Sequence, residues 1–595
     1  MPNTTRKKND TIESVSLVSL GCPKNLVDSE KMLGLLAESG LAPVSYDPSN
    51  EDSAFEGADA VVINTCGFLE ASKDESLQVI KDAIREKEAG NVKRVVVAGC
   101  LVQRHRAKML EWAPGIDAMV GVFDRDKIVE AVKGVDDTSG TGLPAGRRKL
   151  KSLEEASDKP KYWIAANALV AAKERDMKVT GLTVHGKDGK GIGYFEDDSA
   201  RLRLTPRHYS YLRISEGCNQ NCAFCTIPSI RGKMRSKPLD RICSEARELI
   251  NDGAFEILLI GQDTTSYGDD IGAGLRAKSQ MAKGQMAKGQ MANGRSGKGS
   301  VDFSDYGGLP ALLQALSDTI DEANHGQGWL RLMYAYPTNF SDPIIEAFGA
   351  LVAKGRLVPY LDIPLQHASD RVLELMRRNV TRKQQGDVIK KLRKAVGTAH
   401  PSFAPGMCVR TTFISGFPGE TEADHKQLLE FIEEMDFEAV GVFEYSHEEG
   451  TVAGTMEEDK KLAVPAAVKE RRRNEVMELQ QKLAFKKAAA MAAKFNEKDP
   501  LGSLKKGAVQ LDVLIDAGLR TSGKKTSGVS DGGRLYVGRT YFQAPQIDAV
   551  TYVQSREKLA PGEVVRCVVV GSDGYDLVAR PVSELEKKVG LSILR

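Results

Sequence analysis

The first part of the chain alternates short apolar runs with amphipathic stretches. Runs of this length, rich in Val, Leu and Ile, predict strands buried on both faces. The stretches from Asp28 to Glu38 and from Ser72 to Lys87 have helical periodicity. Alternation of strand and helix predicts a parallel α/β sheet over residues 13–130. The three apolar runs each end at a cysteine, and they occupy residues 15–22, 60–66 and 95–100.

The same alternation recurs six times between residues 204 and 458, where each predicted strand is followed by a predicted helix. Six β/α units predict a partial barrel, open where an eight-unit barrel would close. The predicted strands are Tyr211–Ser215, Glu256–Ile260, Leu330–Ala335, Pro359–Ile363, Val409–Ser415 and Ala439–Tyr445. The predicted helices include Leu239–Asn251, Pro310–Ile320, Asp342–Ala353 and Thr421–Met435.

Two segments interrupt this organisation. Residues 131–203 contain Gly-rich loops and are interpreted as a linker or insertion. A Gly/Lys-rich pentapeptide repeat beginning at Gln280 has too little apolar content to fold, so a disordered surface loop is predicted at about 269–300.

The last part of the chain changes from helical to strand patterning. Residues 461–497 have a long helical pattern, which we divide into a connecting helix at 459–479 and the start of a small domain at 480–586. Five short strands with Gly and Asp turns predict a small OB-like β-barrel. These strands are predicted at Val509–Ile515, Arg534–Tyr541, Ala549–Val553, Val564–Gly571 and Tyr575–Arg580.

Composition narrows the class of protein. The chain has 595 residues, 41% of them hydrophobic, and a formal charge of +2, so no strong field favours nucleic acid or lipid. The first residues lack an apolar signal core and no run is long enough to span a membrane. Nine cysteines without a disulfide rhythm then predict a reducing, cytoplasmic location with thiolates used for metal.

Three of these cysteines, Cys218, Cys222 and Cys225, stand in a C-x3-C-x2-C loop after the first predicted barrel strand. Three thiolates would leave one iron of a [4Fe–4S] cluster open, which indicates chemistry rather than structural support. Structural zinc sites normally close with four ligands, often in paired C-x2-C units. The alternative is three buried or free thiols, which we disfavour for three cysteines on one Gly/Asn-rich loop.

Cys22, Cys66 and Cys100 each follow a predicted parallel strand. The carboxyl ends of such strands meet at one edge of the sheet, where functional groups gather. Any one of these cysteines alone reads as a core residue. The repeated placement favours a second three-thiolate site.

The cysteine loop, with an aromatic residue before its last cysteine, resembles the radical S-adenosylmethionine (SAM) signature. The whole chain resembles the methylthiotransferase family, in which a three-cysteine domain, a radical SAM partial barrel and a TRAM domain follow one another. Within that family it is most similar to members that modify an aspartate of small-subunit ribosomal protein twelve. The matching stretches begin at Ser19, Asn64, Gly99, Leu204, Ile227 and Tyr541.

Two of these stretches separate the chain from the tRNA-modifying members. The chain has Gly-Cys-Pro-Lys-Asn from Gly21, where those members usually have Gly-Cys-Gln-Met-Asn. It has Ile-Pro-Ser-Ile-Arg-Gly from Ile227, where they usually have Val-Pro-Tyr-x-Arg-Gly. Both differences favour a protein substrate.

The resemblance implies specific roles. Cys22, Cys66 and Cys100 would bind an auxiliary [4Fe–4S] cluster, and Cys218, Cys222 and Cys225 would bind the SAM cluster. Phe224, Ile414 and Gly416 would lie near the adenine of SAM, and Gly261, Gln262 and Asp263 would contact its amino group. Without the cysteine loop, the segment around Gly416 reads as an ordinary strand-to-helix turn. No side chain is expected as a catalytic acid or base. Cys243, Cys408 and Cys567 match no motif and are expected to be core thiols.

The activity implied is addition of a methylthio group to the β-carbon of that aspartate. Radical chemistry on an unactivated carbon needs a cofactor and an outside electron donor such as a flavodoxin or ferredoxin. Nucleic acid would not be required. Residues 501–586 carry 11 Lys and Arg against 10 Asp and Glu, a net charge of +1, whereas RNA binders usually have a basic footprint. Two alternatives stay open: a tRNA adenosine methylthiotransferase, and a non-catalytic iron–sulfur redox sensor that binds ribosomes.

Overall fold

The computed structural model describes residues 11–49, 54–106, 108–134, 197–275, 302–397, 400, 403, 406–519 and 533–585. Most of the predicted linker at 131–203, and the pentapeptide repeat with most of the predicted disordered loop at 269–300, lie outside these residues. The chain forms two compact units. The first contains residues 1–204, 217–219 and 225–233, and the second contains the remainder.

The first unit is built on a parallel five-stranded sheet in the order β2-β1-β3-β4-β5. The sequence predicted three of these strands, and the structure adds the three-residue strands β2 and β5. The strands are β1 (Ser14–Ser19), β2 (Ala42–Val44), β3 (Ala60–Thr65), β4 (Arg94–Gly99) and β5 (Ala118–Val120). The helices are α1 (Pro23–Glu38), α2 (Glu70–Glu88), α3 (Cys100–His105), α4 (Lys108–Trp112), α5 (Ile128–Lys133) and α6 (Ile227–Arg231).

Apolar residues cover both faces of this sheet. Alternate residues of β3 enter two separate cores: Val61 packs with helix α2, and Val62 packs with helix α1. A strand buried on both faces is expected to be largely apolar. All six residues of β3 are buried, and its two polar residues, Asn64 and Thr65, lie at its carboxyl end. The polar groups at the carboxyl end of the sheet therefore stand out against an apolar interior.

The second unit contains a parallel six-stranded sheet in the order β13-β12-β11-β10-β9-β6, which confirms the predicted partial barrel. A short antiparallel pair, β7 and β8, follows its first strand. The strands are β6 (Tyr209–Arg213), β7 (Ser215–Glu216), β8 (Arg235–Ser236), β9 (Glu256–Ile260), β10 (Trp329–Leu332), β11 (Leu357–Asp362), β12 (Cys408–Ser415) and β13 (Ala439–Glu444). The helices are α7 (Leu239–Asn251), α8 (Gly308–Asn324), α9 (Asp342–Ala353), α10 (Asp370–Leu375), α11 (Arg382–Val396), α12 (Glu422–Met435) and α13 (Val452–Glu458).

A long helix leads from this sheet to a closed barrel in the order β14-β15-β16-β18-β17, which confirms the predicted small β-barrel. The helix α14 (Ala466–Ala492) is continuous across residues 479 and 480, where the sequence analysis placed a domain boundary. The short helix α15 (Pro500–Lys505) follows it. The barrel strands are β14 (Gln510–Leu519), β15 (Arg534–Arg539), β16 (Thr551–Ser555), β17 (Val564–Asp573) and β18 (Asp576–Pro581).

Buried ion pairs join the barrel to the six-stranded sheet. Glu256 has no exposed surface and accepts a hydrogen bond from Arg331 Nε at 2.6 Å and another from Arg539 Nη1. Arg331 Nη1 also donates to the Tyr541 carbonyl at 2.6 Å. Burial opposes ionisation of Glu256, but the two arginines outweigh it and lower the pKa of this carboxyl below its ordinary value. A charged triad therefore fixes the barrel to the sheet.

None of the helices in the described ranges is long and apolar enough to cross a membrane.

Candidate active site

Cys22, Cys66 and Cys100 follow three adjacent strands of the first unit. Cys22 precedes the first residue of α1, Cys66 follows the last residue of β3, and Cys100 is the first residue of α3. Because β1, β3 and β4 are parallel neighbours, their carboxyl ends bring the three cysteines to one edge of the sheet. The structure places the three cysteines at strand ends, as the sequence predicted.

Gly21 allows the backbone before Cys22 to approach Cys66. Its φ is +89°, and a Cβ atom added there would lie 2.6 Å from Cys66 Cβ and 3.1 Å from Cys66 Sγ. Only glycine combines this left-handed conformation with so close an approach.

Asn25 connects the three strand ends. Its Nδ2 donates to the carbonyls of Leu20 at 3.0 Å and of Thr65 at 2.8 Å. Its Oδ1 lies 3.5 Å from Cys100 Sγ and accepts the thiol hydrogen bond. The side chain is fully buried. This one amide group therefore binds backbone carbonyls near Cys22 and Cys66 and also the thiol of Cys100. Asn25 ends the Gly-Cys-Pro-Lys-Asn stretch, and no local pattern in the sequence predicts its role.

The three thiols influence one another electrostatically. Burial raises the pKa of the Cys66 thiol above its ordinary value, and burial raises the pKa of the Cys100 thiol to about 12. Negative charge on Cys22 raises both further, whereas the Arg231 guanidinium opposes the rise. Buried thiols of this kind favour the thiolate only when a metal supplies positive charge.

These residues fit an iron–sulfur cluster better than a single ion. Among the described residues, no three His, Cys, Asp or Glu side chains surround a point where one metal ion would bind. In a four-iron cluster each thiolate ligates a different iron, so the sulfurs need not meet at one point. Three neighbouring cysteine sulfurs, with a glycine at Gly21 leaving room beside Cys66 Sγ, provide the donor set of such a cluster.

The second set of cysteines occupies the loop between β7 and α6. Cys218 is buried, whereas Cys222 and Cys225 are half-buried. Cys218 and Cys225 belong to the first unit, where the Cys218 amide donates to the Gly232 carbonyl at 3.2 Å. Cys222 belongs to the second unit.

Cys222 lies beside a buried cation. Arg378 Nη1 donates to Cys222 Sγ at 3.6 Å, and its guanidinium stacks 4.1 Å from the ring centre of Tyr336. The Tyr336 hydroxyl lies 4.0 Å from the same sulfur. Neither residue was singled out from the sequence, because both come from loops more than a hundred residues away along the chain.

Phe224 and Ile414 meet in one apolar cluster of the second unit, together with Met376, Phe417 and Tyr445. The rings of Phe224 and Phe417 pack edge to face with their centres 6.5 Å apart. The structure therefore brings together two of the residues predicted to lie near adenine, and their contact with the cofactor stays a prediction.

Gly261, Gln262 and Asp263 follow β9 at its carboxyl end. Gln262 Nε2 donates to Glu216 Oε1 at 2.5 Å. The buried Asp263 carboxylate accepts from Gln220 Nε2 at 2.9 Å and from Asn339 Nδ2 at 3.2 Å. Asp263 thus holds the cysteine loop and the loop after β10 together, and its predicted contact with SAM is not tested by these bonds.

Gly416 ends β12 in a tight turn with φ of +72°, where an added Cβ would lie 2.3 Å from Lys469 Cγ. The amides of Gly416 and Phe417 both donate to one oxygen of Glu420. Glu420 is buried, and Arg472 Nη1 lies 3.4 Å from its other oxygen. The Glu420 carboxylate therefore stabilises this turn. Glu420 lies within the sequence motif, but the sequence analysis predicted no role for it.

The other three cysteines differ in burial. Cys408 and Cys567 are buried, as expected for core thiols. Cys243 is only half-buried, because it lies on the flank of α7. The expectation of a core thiol was wrong for Cys243.

Three family models match the chain. The model described as "Uncharacterized protein family UPF0004" matches residues 14–121, that of the Radical SAM superfamily matches residues 212–432, and that of the TRAM domain matches residues 510–582.

Relatives of the chain are similar over nearly its full length. A protein named "Ribosomal protein uS12 methylthiotransferase RimO", from Thermoanaerobacter sp. (strain X514), is 34% identical over 95% of this chain and 99% of its own length. A relative with the same name from Koribacter versatilis (strain Ellin345) is 33% identical over 97% of each chain. Among solved structures, the radical SAM methyltransferase TsrM from Kitasatospora setae matches 74% of this chain and 77% of its own, with 13% identity and a TM-score of 0.45.

Proposed function

The chain belongs to the family of the ribosomal protein uS12 methylthiotransferases RimO, and we propose that it transfers a methylthio group to the β-carbon of an aspartate in that ribosomal protein. It is a transferase of the radical SAM class. The observation that carries the proposal is the placement of Cys22, Cys66 and Cys100 at three neighbouring strand ends, in a chain with a second three-cysteine loop. Because ribosomes are cytoplasmic, we place the reaction in the cytoplasm.

When bound, SAM and two [4Fe–4S] clusters supply the one-electron chemistry that removes hydrogen from an unactivated carbon and the sulfur that replaces it. The six cysteines would hold these clusters, three for each, and one iron of each cluster would then have no ligand from the protein. An outside reductant of low potential, such as a flavodoxin or ferredoxin, supplies electrons.

The chain's own residues position the cofactors and do not themselves react. Phe224 and Ile414 present an apolar surface suited to a flat base, and the absence of a Cβ at Gly416 lets the Lys469 side chain pack against the turn that follows β12. Arg378 places a positive charge against Cys222, and its own side chain is largely excluded from water. No described carboxylate or histidine is needed as a general acid or base, because the hydrogen leaves as an atom.

The barrel is suited to a protein target. Its net charge of +1 over residues 501–586 provides little of the phosphate attraction on which RNA binding depends. Nucleic acid is therefore not part of the proposed reaction.

The test is an anaerobic assay with purified uS12, SAM and dithionite. Mass spectrometry of uS12 should show an increase of one SCH2 unit on an aspartate, and 5′-deoxyadenosine should form. Methylthiolation of tRNA alone would contradict the protein substrate, and bound iron without SAM cleavage would favour a sensor.

Cysteine variants separate the two centres. Cys222→Ala should abolish 5′-deoxyadenosine, whereas Cys66→Ala should still produce it but transfer no sulfur. Cys243→Ala is the matched control, because this half-buried cysteine lies on α7 outside both sets. A Cys66→Ala protein that still modifies uS12 would refute the auxiliary site.

A further inference from the structure

Arg231 is a buried cation in the first unit, and the reaction described above gives it no role. Its side chain is 1% exposed. Its Nη2 donates to Asn25 Oδ1 at 2.7 Å and lies 3.1 Å from Asp28 Oδ2. An arginine so deeply buried needs anionic partners, because leaving it uncompensated is strongly unfavourable.

The cation lies against the first cysteine set. Asn25 Oδ1 accepts from both Arg231 Nη2 and the Cys100 thiol, so the two donors are close neighbours. Ile230, the residue before Arg231, packs on Cys100.

Charges alternate along a series of buried ion pairs that begins at Arg231 and Asp28. Asp28 Oδ1 pairs with Arg125 Nη1 at 2.9 Å, and Arg125 Nη1 pairs with Asp198 Oδ1 at 2.7 Å. All three residues are nearly excluded from water. The member of this series beside the cysteines is therefore the cation Arg231, and the carboxylate of Asp28 holds it in place.

We propose that Arg231, oriented by Asn25 and Asp28, is a positioning residue that binds anionic sulfur, as hydrosulfide or a small thiolate, at the site formed by Cys22, Cys66 and Cys100. This inference rests on the proposed function, because it requires these cysteines to hold a cluster whose open position accepts sulfur. Arginine is suited to the role, since its planar fork stays charged when buried and directs several donors toward an anion. Hydrogen bonds and charges beside cluster sulfurs also set the reduction potential.

The experiment uses the full chain with Cys218, Cys222 and Cys225 replaced by Ala, so that only the first site takes up iron. Sodium hydrosulfide and methanethiol are titrated into the reconstituted protein while the electron paramagnetic resonance of the reduced cluster is recorded. Arg231→Gln should weaken hydrosulfide binding about ten- to hundredfold, the range expected for one charge-assisted hydrogen bond in a buried site. At a fixed potential the ratio of reduced to oxidised cluster should fall about tenfold, which is 59 mV for one electron.

Two further variants make the result specific. Arg231→Lys keeps the charge without the fork and should restore part of the affinity and of the potential. Arg94→Gln is the matched control, because Arg94 begins β4 at the end opposite Cys100 and donates to the Ala131 carbonyl at 2.8 Å. It should leave both readouts unchanged.

The outcomes are distinguishable. Iron uptake that fails with Arg231 intact would overturn the proposed function rather than this inference. Native hydrosulfide affinity and potential in Arg231→Gln would overturn the inference. If Arg231→Gln does not hold iron, Arg231→Lys decides: weakened binding with a partly lowered potential supports the role, and native values would assign Arg231 to folding alone.

Discussion

Replacement of Asn25 by alanine should dismantle the first cysteine site without touching a cysteine. The substitution removes the amide that donates to the Leu20 and Thr65 carbonyls and the oxygen that accepts from Arg231 and Cys100. The site is fully buried, so water does not replace the lost partners readily.

The magnitude follows from these bonds. The two bonds to backbone carbonyls contribute about 1 kcal/mol each, and the bond to the guanidinium of Arg231 contributes about 1.5–3 kcal/mol. The thiol of Cys100 is a weak donor at 3.5 Å and adds little. Asn25→Ala should therefore lower the local free energy of unfolding by about 4 kcal/mol, a large fraction of the roughly 5–15 kcal/mol that stabilises a typical domain. The spacing of the cysteines should loosen, and the first site should lose its iron.

Hydrogen–deuterium exchange of the iron-free chain measures this change. Amides of β1, β3 and β4 should exchange roughly a thousandfold faster in Asn25→Ala, since each 1.4 kcal/mol is tenfold. Asn91→Ala is the control, because Asn91 is exposed and its Nδ2 donates to Glu86 at 2.9 Å, away from the cysteines. Iron content and exchange in Asn25→Ala that match those of Asn91→Ala would refute the reasoning.

Three further outcomes are expected. Gly416→Ala should weaken SAM binding in equilibrium dialysis, because the added Cβ would lie 2.3 Å from Lys469 Cγ at a φ of +72° and would distort the turn. Gly441→Ala, where an added Cβ has no neighbour closer than 3.8 Å, should bind normally. Glu256→Gln should lower the free energy of unfolding by about 3–5 kcal/mol, because two arginines lose their buried partner. The lowered pKa of Glu256 means that this stabilisation is full above the unfolded-state pKa and is lost as pH falls through the folded-state pKa. The difference in the free energy of unfolding between the wild type and Glu256→Gln, measured with urea, should therefore shrink as pH falls. Arg378→Gln should make the second centre harder to reduce in potentiometric titration, because a cation beside its ligand favours the added electron, and the exposed neighbour variant Arg377→Gln should not.

The strands and helices were predictable where burial fixes the pattern. The predicted bounds of β9, α7 and α9 are those of the structure, because each element is bounded by polar or turn residues. The strands β2 and β5 were missed because three residues are too few to show a period of two. Their pairing depends on β1 and β4, which lie elsewhere in the sequence.

The candidate site was likewise predictable only in part. The cysteines were found because their spacing is local, or because each repeats the same position after a strand. Asn25 and Arg231 are separated by 206 residues, and Cys222 and Arg378 by 156. No periodicity relates such pairs, so the polar groups that orient each centre emerge only when the chain has folded.

The position of the barrel limits what it contributes to the reaction. Its contacts reach the amino ends of the sheet strands: Glu256 is the first residue of β9, and Cys408, whose thiol lies 3.7 Å from the Phe542 carbonyl, is the first residue of β12. The candidate SAM residues, Gly261 and Gly416, follow the carboxyl ends of the same two strands. In α/β barrels the carboxyl end carries the chemistry and the amino end carries stability. The barrel therefore cannot reach the reacting carbon through the sheet, and any binding energy that it contributes must act on parts of the ribosomal protein remote from the modified aspartate.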